Sequence, residues 1–599
     1  MREFSSPLTI DLPVSGNLTD DIVRNAAEAP SAVVFSRRGA DRSWGDVTSA
    51  EFLAEVIAVA KGLIAAGVEA GDRVSLFSKT RYEWTLMDYA IWFAGAITVP
   101  IYETSSAEQV QWILSDSGTK AVMAEGPDHL ARIAEVRDSL PDLAQVWSFA
   151  DNGVDVLVAL GADISDEEVE KRRAAATPDT IATLIYTSGT TGRPKGCELT
   201  HGNFMFEIRG ALADLEDIFR NPDCSTLLFL PLAHVFARII QIGAIRARAR
   251  LGHAPDIKNL VSDLGEFKPT FILAVPRVFE KVFNTASQNA HADGKGAIFD
   301  KAVEVAIAHS RAIDTPQSLL AGLKTKSLHA IFDKLVYRKL RAALGGDCTY
   351  AISGGAPLGE RLGHFYRGIG LIVLEGYGLT ETTAALAVNK PDATKIGTVG
   401  QPLNGTAVRV ADDGELLFKG GQVFAAYWNN PQASAEAMDG EWFRSGDVGE
   451  IDDEGFIRIT GRKKEIIVTA GGKNVAPAVL EDRLRAHALV DQCIIVGDGE
   501  PFIAALITLD TEALPAWAAA HDKTLDLATL VEDPDVIAEV QKAVDDANKA
   551  VSKAESIRKF RILPDAWTEE GGQLTASMKL KRNVVLKEFR DQVEALYHS

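Results

Sequence analysis

The chain has 599 residues, more than a single hydrophobic core accommodates, so several structural units are expected. Apolar residues make up 46% and charged residues 24%, an ordinary globular balance. The formal charge of −21 argues against a nucleic-acid partner, and any phosphate or carboxylate must be held by local positive groups.

Four cysteines (Cys197, Cys224, Cys348, Cys493) stand far apart without a CxxC pair, so neither a disulfide framework nor a zinc site is expected. The N-terminal stretch lacks the apolar run of a signal peptide, which together with the cysteines suits the cytoplasm. The greasiest stretch, Tyr89–Tyr102, is interrupted by Gly95 and Pro100 and falls short of the ~20 apolar residues of a membrane span. Peripheral membrane contact and a homodimer are left open.

Helical apolar spacing runs over 51–67 and stops at Gly67, and Asp72–Phe77 has the look of a strand. A helix near Trp84–Ala94, a strand near Ile97–Tyr102, a helix at Ala107–Ser115 and a strand at Lys120–Ala124 follow. This alternation predicts an α/β fold with mostly parallel sheets. Residues 290–347 are predicted helical with polar faces; beyond Gly400, short β-runs alternate with glycine and acidic turns. After Gly461 a smaller unit is expected, with a helix at Val479–Ala488 and strands at Gln492–Val496 and Ala504–Leu509.

The most informative stretch follows the apolar run Ile181–Tyr186: Thr187, Ser188, Gly189, Thr190, Thr191, Gly192, Arg193, Pro194, Lys195 and Gly196. Hydroxyls and backbone N–H groups there can wrap phosphate oxygens, glycine permits close approach, and Lys195 adds a point charge. The spacing is not that of a Walker A loop, and Pro194 argues against direct entry into a helix. A Ser/Thr/Gly surface turn is the bland alternative for such a composition. The order SGTTGxPKG, however, resembles the phosphate loop of the adenylate-forming superfamily, which includes acyl-CoA synthetases, firefly luciferase and peptide-synthetase adenylation domains.

The resemblance spans nearly the whole chain and extends to further motifs in the family's order. Ile352–Pro357, with Gly354, Gly355 and Ala356, resembles the segment beside adenine. Gly376-Tyr377-Gly378-Leu379-Thr380-Glu381-Thr382 resembles a second diagnostic motif. It implies that Tyr377 stacks near adenine, Thr380 contacts the α-phosphate and Glu381 helps hold Mg²⁺, with Thr187 as a further metal contact. Trp442–Asp447 resembles the ribose motif, with Asp447 on the ribose hydroxyls, and Gly461–Ile467 resembles an interdomain hinge. Arg462 would reach ribose or phosphate, and Lys464 would be the pivot. Pro231–Ala237 resembles the start of the acyl-pocket wall, with His234 and Phe236 at its mouth, and Ala274–Phe283 plus the helical insert resembles the long-chain subgroup.

The resemblance then implies a large N-terminal domain of several subdomains (1–462) that binds ATP and the acyl chain. A small mobile α+β C-terminal lid (463–599) would carry a catalytic lysine, best matched by Lys579 with Lys581 as runner-up. Lys581 and Arg582 are candidate CoA-phosphate contacts, and Gly471 and Gly472 would face CoA after the lid rotates. Two positions depart from the family pattern: Met578 replaces a common Gly, and Val468 stands where some long-chain members carry Lys. The implied reaction joins a long-chain fatty acid to CoA at the expense of ATP, with Mg²⁺ as cofactor. The alternatives are a fatty acyl-AMP ligase that serves a carrier protein, and a nucleotide- or lipid-binding relative without turnover.

Overall fold

The structure is a computed structural model that describes every residue except Ala40, 188–192, 257–258, 316–318, 576–578 and Ser599, and leaves out the side chains of 319–323. Its largest sheet has seven strands, in the order Ala426–Tyr427, Lys195–Thr200, Ile181–Thr187, Ile97–Ile101, Arg73–Phe77, Ala121–Ala124 and Gln145–Ser148. The last five run parallel, as the alternating pattern predicts, because helices Ser49–Ala65, Tyr82–Phe93 and Ala107–Ser117 intervene between them or flank them. The first two strands are antiparallel additions.

A second sheet aligns Phe271–Ala274, Tyr350–Ser353 and Ile372–Tyr377 in parallel. A third, parallel in part, includes Ser225–Leu228 and Arg250–His253. The region past Gly400 departs from the parallel rule. Ala407–Val410 with Glu415–Lys419, and Trp442–Ile451 with Ile457–Arg462, are antiparallel hairpins whose short turns leave no room for a crossover helix, and Glu415–Lys419 pairs antiparallel with Trp442–Ile451 to join them. Residues 290–347 are helical, as expected, through Gly296–Asp314, Leu319–Phe332 and Arg338–Ala343.

Apolar clusters of the large unit end at Ile459, whereas those of the C-terminal unit begin at Ile467. The latter unit packs helices Pro477–Arg485 and Pro534–Asn548 on a three-stranded sheet formed by Val490–Val496, Ile503–Leu509 and Ile557–Leu563.

Inside the large unit, Asp88 and Arg238 are fully buried and paired. Arg238 Nε donates to Asp88 Oδ2 at 3.0 Å, and the Thr98 hydroxyl donates to Oδ1 at 2.7 Å. Arg238 Nη1 also reaches Thr183 Oγ1 at 2.5 Å, while the Trp84 and Trp92 rings lie 5.5 and 5.2 Å from the guanidinium. Thr183 belongs to strand Ile181–Thr187 and Arg238 to helix Val235–Ala247. One ion pair and its hydrogen bond to Thr183 therefore fix strand Ile181–Thr187 against the helix that follows His234.

Candidate active site

Strand Ile181–Thr187 pairs antiparallel with strand Lys195–Thr200, with Thr187 opposite Lys195 and Tyr186 opposite Gly196. The chain after Pro194 is thus a strand and not a helix, in line with the argument from the proline. Ser188, Gly189, Thr190, Thr191 and Gly192 lie outside the described residues. Their flanks are anchored: Trp112 Nε1 donates to the Pro194 carbonyl at 2.8 Å, and the Arg193 guanidinium lies 4.6 Å from the Trp112 ring.

Lys195 Nζ stands 4.9 Å from the Tyr427 ring centroid, and the Tyr427 hydroxyl donates to Glu381 Oε1 at 2.8 Å. Cys197, fully buried on the same strand, interacts with both Thr187 and Glu381. Burial pushes its thiol well up, the Glu381 carboxylate adds to that, and the Thr187 hydroxyl opposes it. Thr187, Lys195 and Glu381 therefore converge around one neutral thiol.

Glu381 and Thr380 occupy a 3₁₀ turn, Thr380–Thr382, just after strand Ile372–Tyr377. The turn is tight: Thr383 and Ala384 adopt φ of 56° and 107°, a region non-glycine residues seldom enter. A Cβ at Gly378 would lie 1.4 Å from the Ala384 carbonyl oxygen, and one at Gly376 would lie 3.2 Å from that of Ala387. Glycine in this motif therefore serves close backbone approach.

Asp447 and Arg462 face each other across an antiparallel pair. Arg462 Nε lies 3.0 Å from Asp447 Oδ1, and the Tyr377 hydroxyl donates to Oδ2 at 2.5 Å. Burial raises the pKa of the Asp447 carboxyl, while Arg462 and Tyr377 favour its charged form. Tyr377 also packs its ring on Phe418, at 5.6 Å between centroids. Its hydroxyl thus orients the carboxylate, a contact the motif alone does not suggest.

The residues expected at the acyl entrance lie close by. His234 caps helix Val235–Ala247, its Nδ1 accepting the Phe236 N–H at 3.1 Å, which places the proton of the neutral ring on Nε2. Burial pushes its pKa down to about 3, and Lys579 adds to the shift, so His234 stays neutral at working pH. The Phe236 ring approaches within 3.0 Å of the position a Cβ on Gly354 would take, and Gly355, at φ 85°, precedes Ala356. Phe236 therefore lies directly against the segment expected beside adenine.

Lys579 comes from the C-terminal unit, where its N–H donates to Thr575 Oγ1 at 3.0 Å. Its side chain lies with Cε 4.0 Å from the Cβ position of Gly355. The surrounding protein and then the Arg462 charge lower its pKa, while Asp447 and Glu381 oppose the shift. A residue distant in sequence thus shares one electrostatic environment with Asp447, Glu381, Arg462 and His234.

The other expected lid residues fare differently. Arg582 is committed within its own unit, since it pairs with Glu481 at 2.5 Å and Nη2 donates to the Ile495 carbonyl at 2.7 Å. Lys581 caps the start of helix Arg582–Glu588. Gly471 and Gly472 lie in an exposed turn with no cleft residue within 4 Å of their Cβ positions. Lys464 is exposed in the 3₁₀ turn Lys463–Glu465, next to Lys463, which is tied to Asp413 and Glu415 at 2.5 and 3.0 Å. Met578 lies outside the described residues.

Family models match most of this chain: the AMP-binding enzyme model covers residues 22–428, and the AMP-binding enzyme C-terminal domain covers 464–599. The chain belongs to the AMP-binding enzyme family. Over 603 aligned residues, 100% of both proteins, it is 52% identical to the long-chain-fatty-acid–CoA ligase FadD15 of Mycobacterium tuberculosis. Among solved structures it is similar to the anthranilate CoA ligase AuaEII in complex with anthranoyl-AMP, with a TM-score of 0.73 and 20% identity over 98% of this chain and 99% of that one. It is likewise similar to O-succinylbenzoate Coenzyme A Synthetase from Bacillus subtilis in complex with ATP and magnesium, with a TM-score of 0.66 and 20% identity over 97% and 99% of the two chains. These likenesses extend the α/β fold with its large first unit and smaller second one.

In this AMP-binding enzyme, sequence reasoning overlooked Tyr427, which holds Glu381 and faces Lys195. It also overlooked a carboxyl pair between the two units. Glu375, buried on strand Ile372–Tyr377, accepts the Leu358 N–H at 3.0 Å; burial pushes its pKa up to about 7, and Asp482 from the smaller unit adds to this. Asp482 is itself pushed up to about 7 by burial, with Arg485 opposing and Glu481 and Glu280 adding. Both values exceed those of the unfolded chain, so the folded state binds more protons in between. Their stabilising contribution is full below about pH 4 and lost as pH rises through about 7. Glu375→Gln removes one of the two groups. Its Tm relative to wild type is expected to become more positive between about pH 5.5 and 8.5, measured by thermal melts across that range.

Proposed function

We propose that this AMP-binding enzyme is a long-chain fatty acid–CoA ligase that works in two half-reactions, with 1–462 as the adenylation unit and 463–599 as its lid. The observation that carries the reading is the convergence of Lys579 from one unit with Glu381, Asp447 and Gly355 from the other. The substrate class comes from the relative at 52% identity over the full chain.

In the first step a fatty carboxylate attacks the α-phosphorus of ATP, forming the acyl-phosphate bond as pyrophosphate leaves. Thr187, Lys195 and the loop 188–192 hold phosphate oxygens, Thr380 and Lys579 meet the charge that grows on the α-phosphate, and Asp447 accepts the ribose hydroxyls with Arg462 beside it. Tyr377, Gly376 and Gly378 shape the floor on one side, and Gly354, Gly355 and Ala356 shape it on the other. Placing both reactants in line supplies ~7–11 kcal/mol when alignment is good.

Glu381 fits Mg²⁺ binding because it is a carboxylate at the cleft, oriented by Tyr427 and joined by the Thr187 hydroxyl through Cys197. When bound, Mg²⁺ neutralises phosphate charge.

In the second step the CoA thiol attacks the acyl carbonyl and AMP leaves. All four cysteines are free and buried, and burial pushes their thiols up, so the attacking sulfur comes from the acceptor. Lys464 is the pivot that withdraws Lys579 and brings Gly471 and Gly472 toward the site, while His234 and Phe236 guard the acyl entrance. Lys464→Pro is expected to keep ATP affinity and one half-reaction but to impair the other, because proline fixes φ at the pivot. Equal loss in both, assayed separately, would contradict the pivot.

The reading is tested by palmitate-dependent exchange of labelled pyrophosphate into ATP in the absence of CoA. Exchange without CoA supports a separate adenylate step; exchange that requires CoA overturns it.

A further inference from the structure

Helix Pro276–Ala292 begins directly after Val275, whose Cγ1 lies 3.8 Å from the Gly355 Cβ position that Lys579 also approaches. Its residues divide between two partners. Phe279 and Phe283 are buried in the large unit, against Tyr366 and Phe365 at 5.3 and 4.9 Å between ring centroids. Arg277, Glu280 and Lys281 share another face, since residues three and four apart are neighbours on a helix. That face looks onto the C-terminal unit.

Each of the three meets an opposite charge there. Arg277 Nη1 donates to the Asp491 carbonyl at 2.8 Å, and Nη2 donates to the Asp491 carboxylate. Lys281 Nζ lies 2.9 Å from Glu512 Oε2. Glu280 faces the charge of Arg485: burial pushes its carboxyl pKa up, while Arg485 and then Arg277 oppose the shift. Among the described residues Arg277 has no hydrogen-bond or ion-pair partner in its own unit, so its guanidinium is committed to the other one. Asp491 lies in strand Val490–Val496, and Glu512 just before helix Leu514–Ala520, which packs on helix Pro276–Ala292. Burial pushes the pKa of Asp491 up, Arg277 opposes that, and Asp510 and Glu512 add to it. The acids of this rim therefore repel one another unless Arg277 is docked.

We propose that Arg277, with Glu280 and Lys281 setting the register, is a positioning residue that latches the lid in the arrangement serving adenylation, a role that rests on the two-step reading above. Asp491, Arg485 and Glu512 belong to the same unit as Lys579. A rotation about Lys464 that withdraws the lysine must therefore also part them from the helix. The signs run positive, negative, positive on the helix against negative, positive, negative on the lid, so a displaced register sets like charges together. Arg277 makes a two-point contact to a half-buried partner, whereas Lys281 and Glu512 are both exposed, so Arg277 carries most of the latch. It acts through Lys579, because its own contacts are to the lid.

The test measures both half-reactions of the full chain for Arg277→Glu, for Asp491→Arg and for the two substitutions together. Each single variant is expected to lose about tenfold or more in palmitate-dependent pyrophosphate exchange, the loss of a charge-assisted contact read as a shift of the lid away from closure. Each should still convert supplied palmitoyl-adenylate and CoA to thioester at the wild-type rate or faster, a step that a folding defect would slow as well. The double variant, in which the two charges meet again with their places exchanged, should regain about threefold or more in exchange over either single variant. Equal loss in both half-reactions, wild-type exchange by either single variant, or no recovery in the double variant would overturn the latch while leaving the two-step reading intact. Exchange by wild type that requires CoA would instead overturn the two-step reading, and the latch with it.

Discussion

Lys579→Ala is expected to slow acyl-adenylate formation by about 10²–10³-fold, the usual cost of removing one positioned group that stabilises transition-state charge. The same variant should convert supplied acyl-adenylate and CoA to thioester at close to the wild-type rate, because the proposed lid rotation withdraws the lysine before that step. The structural basis is specific. Lys579 reaches across from the C-terminal unit to within 4.0 Å of the Gly355 Cβ position, in the field of Asp447 and Glu381. Single-turnover measurements of each half-reaction check this. Comparable loss in both would mean that Lys579 holds the lid rather than serving adenylation, and Lys581→Ala provides the control at the runner-up position.

The largest stability effect is expected at Asp88. Asp88→Ala leaves the fully buried Arg238 guanidinium without its counter-charge, a change that typically costs about 3–5 kcal/mol. It should lower the denaturant midpoint and also reduce the affinity for ATP and acyl substrate together, since Arg238 joins strand Ile181–Thr187 to the helix that begins after His234. Replacing both partners with apolar residues, Asp88→Leu with Arg238→Met, should recover much of the loss, because the uncompensated charge is then gone. A cost below about 1 kcal/mol for Asp88→Ala would show that water reaches this guanidinium.

Legibility in the sequence followed the range of the interactions. The parallel strands and their helices were readable because apolar periodicity is local, and Pro194 alone indicated that no helix follows the phosphate loop. The antiparallel sheet beyond Gly400 was visible as short β-runs, but its pairing was not, since that depends on which hairpins meet. Roles for Glu381 and Asp447 are suggested only by resemblance, as an isolated carboxylate carries little information. Tyr427 went unnoticed because its importance lies in a hydroxyl bond across 46 residues, and nothing in its neighbourhood marks it. Glu375 and Asp482 meet only when the two units dock, so neither their proximity nor their raised pKa values could be read from the chain. Arg582, a candidate ligand contact because it is basic and close to Lys579, also pairs with Glu481, 101 positions away, a partner no local pattern reveals.

The acyl class and the acceptor together make up the central claim, and one assay addresses both: product formation from ATP, Mg²⁺ and acids of graded chain length, with and without CoA. The account predicts acyl-CoA and AMP in equal amounts, with kcat/KM highest for long-chain acids and little steady turnover when CoA is withheld. Pyrophosphate release with palmitate but no thioester in the presence of CoA, or a preference for short or aromatic acids, would contradict it.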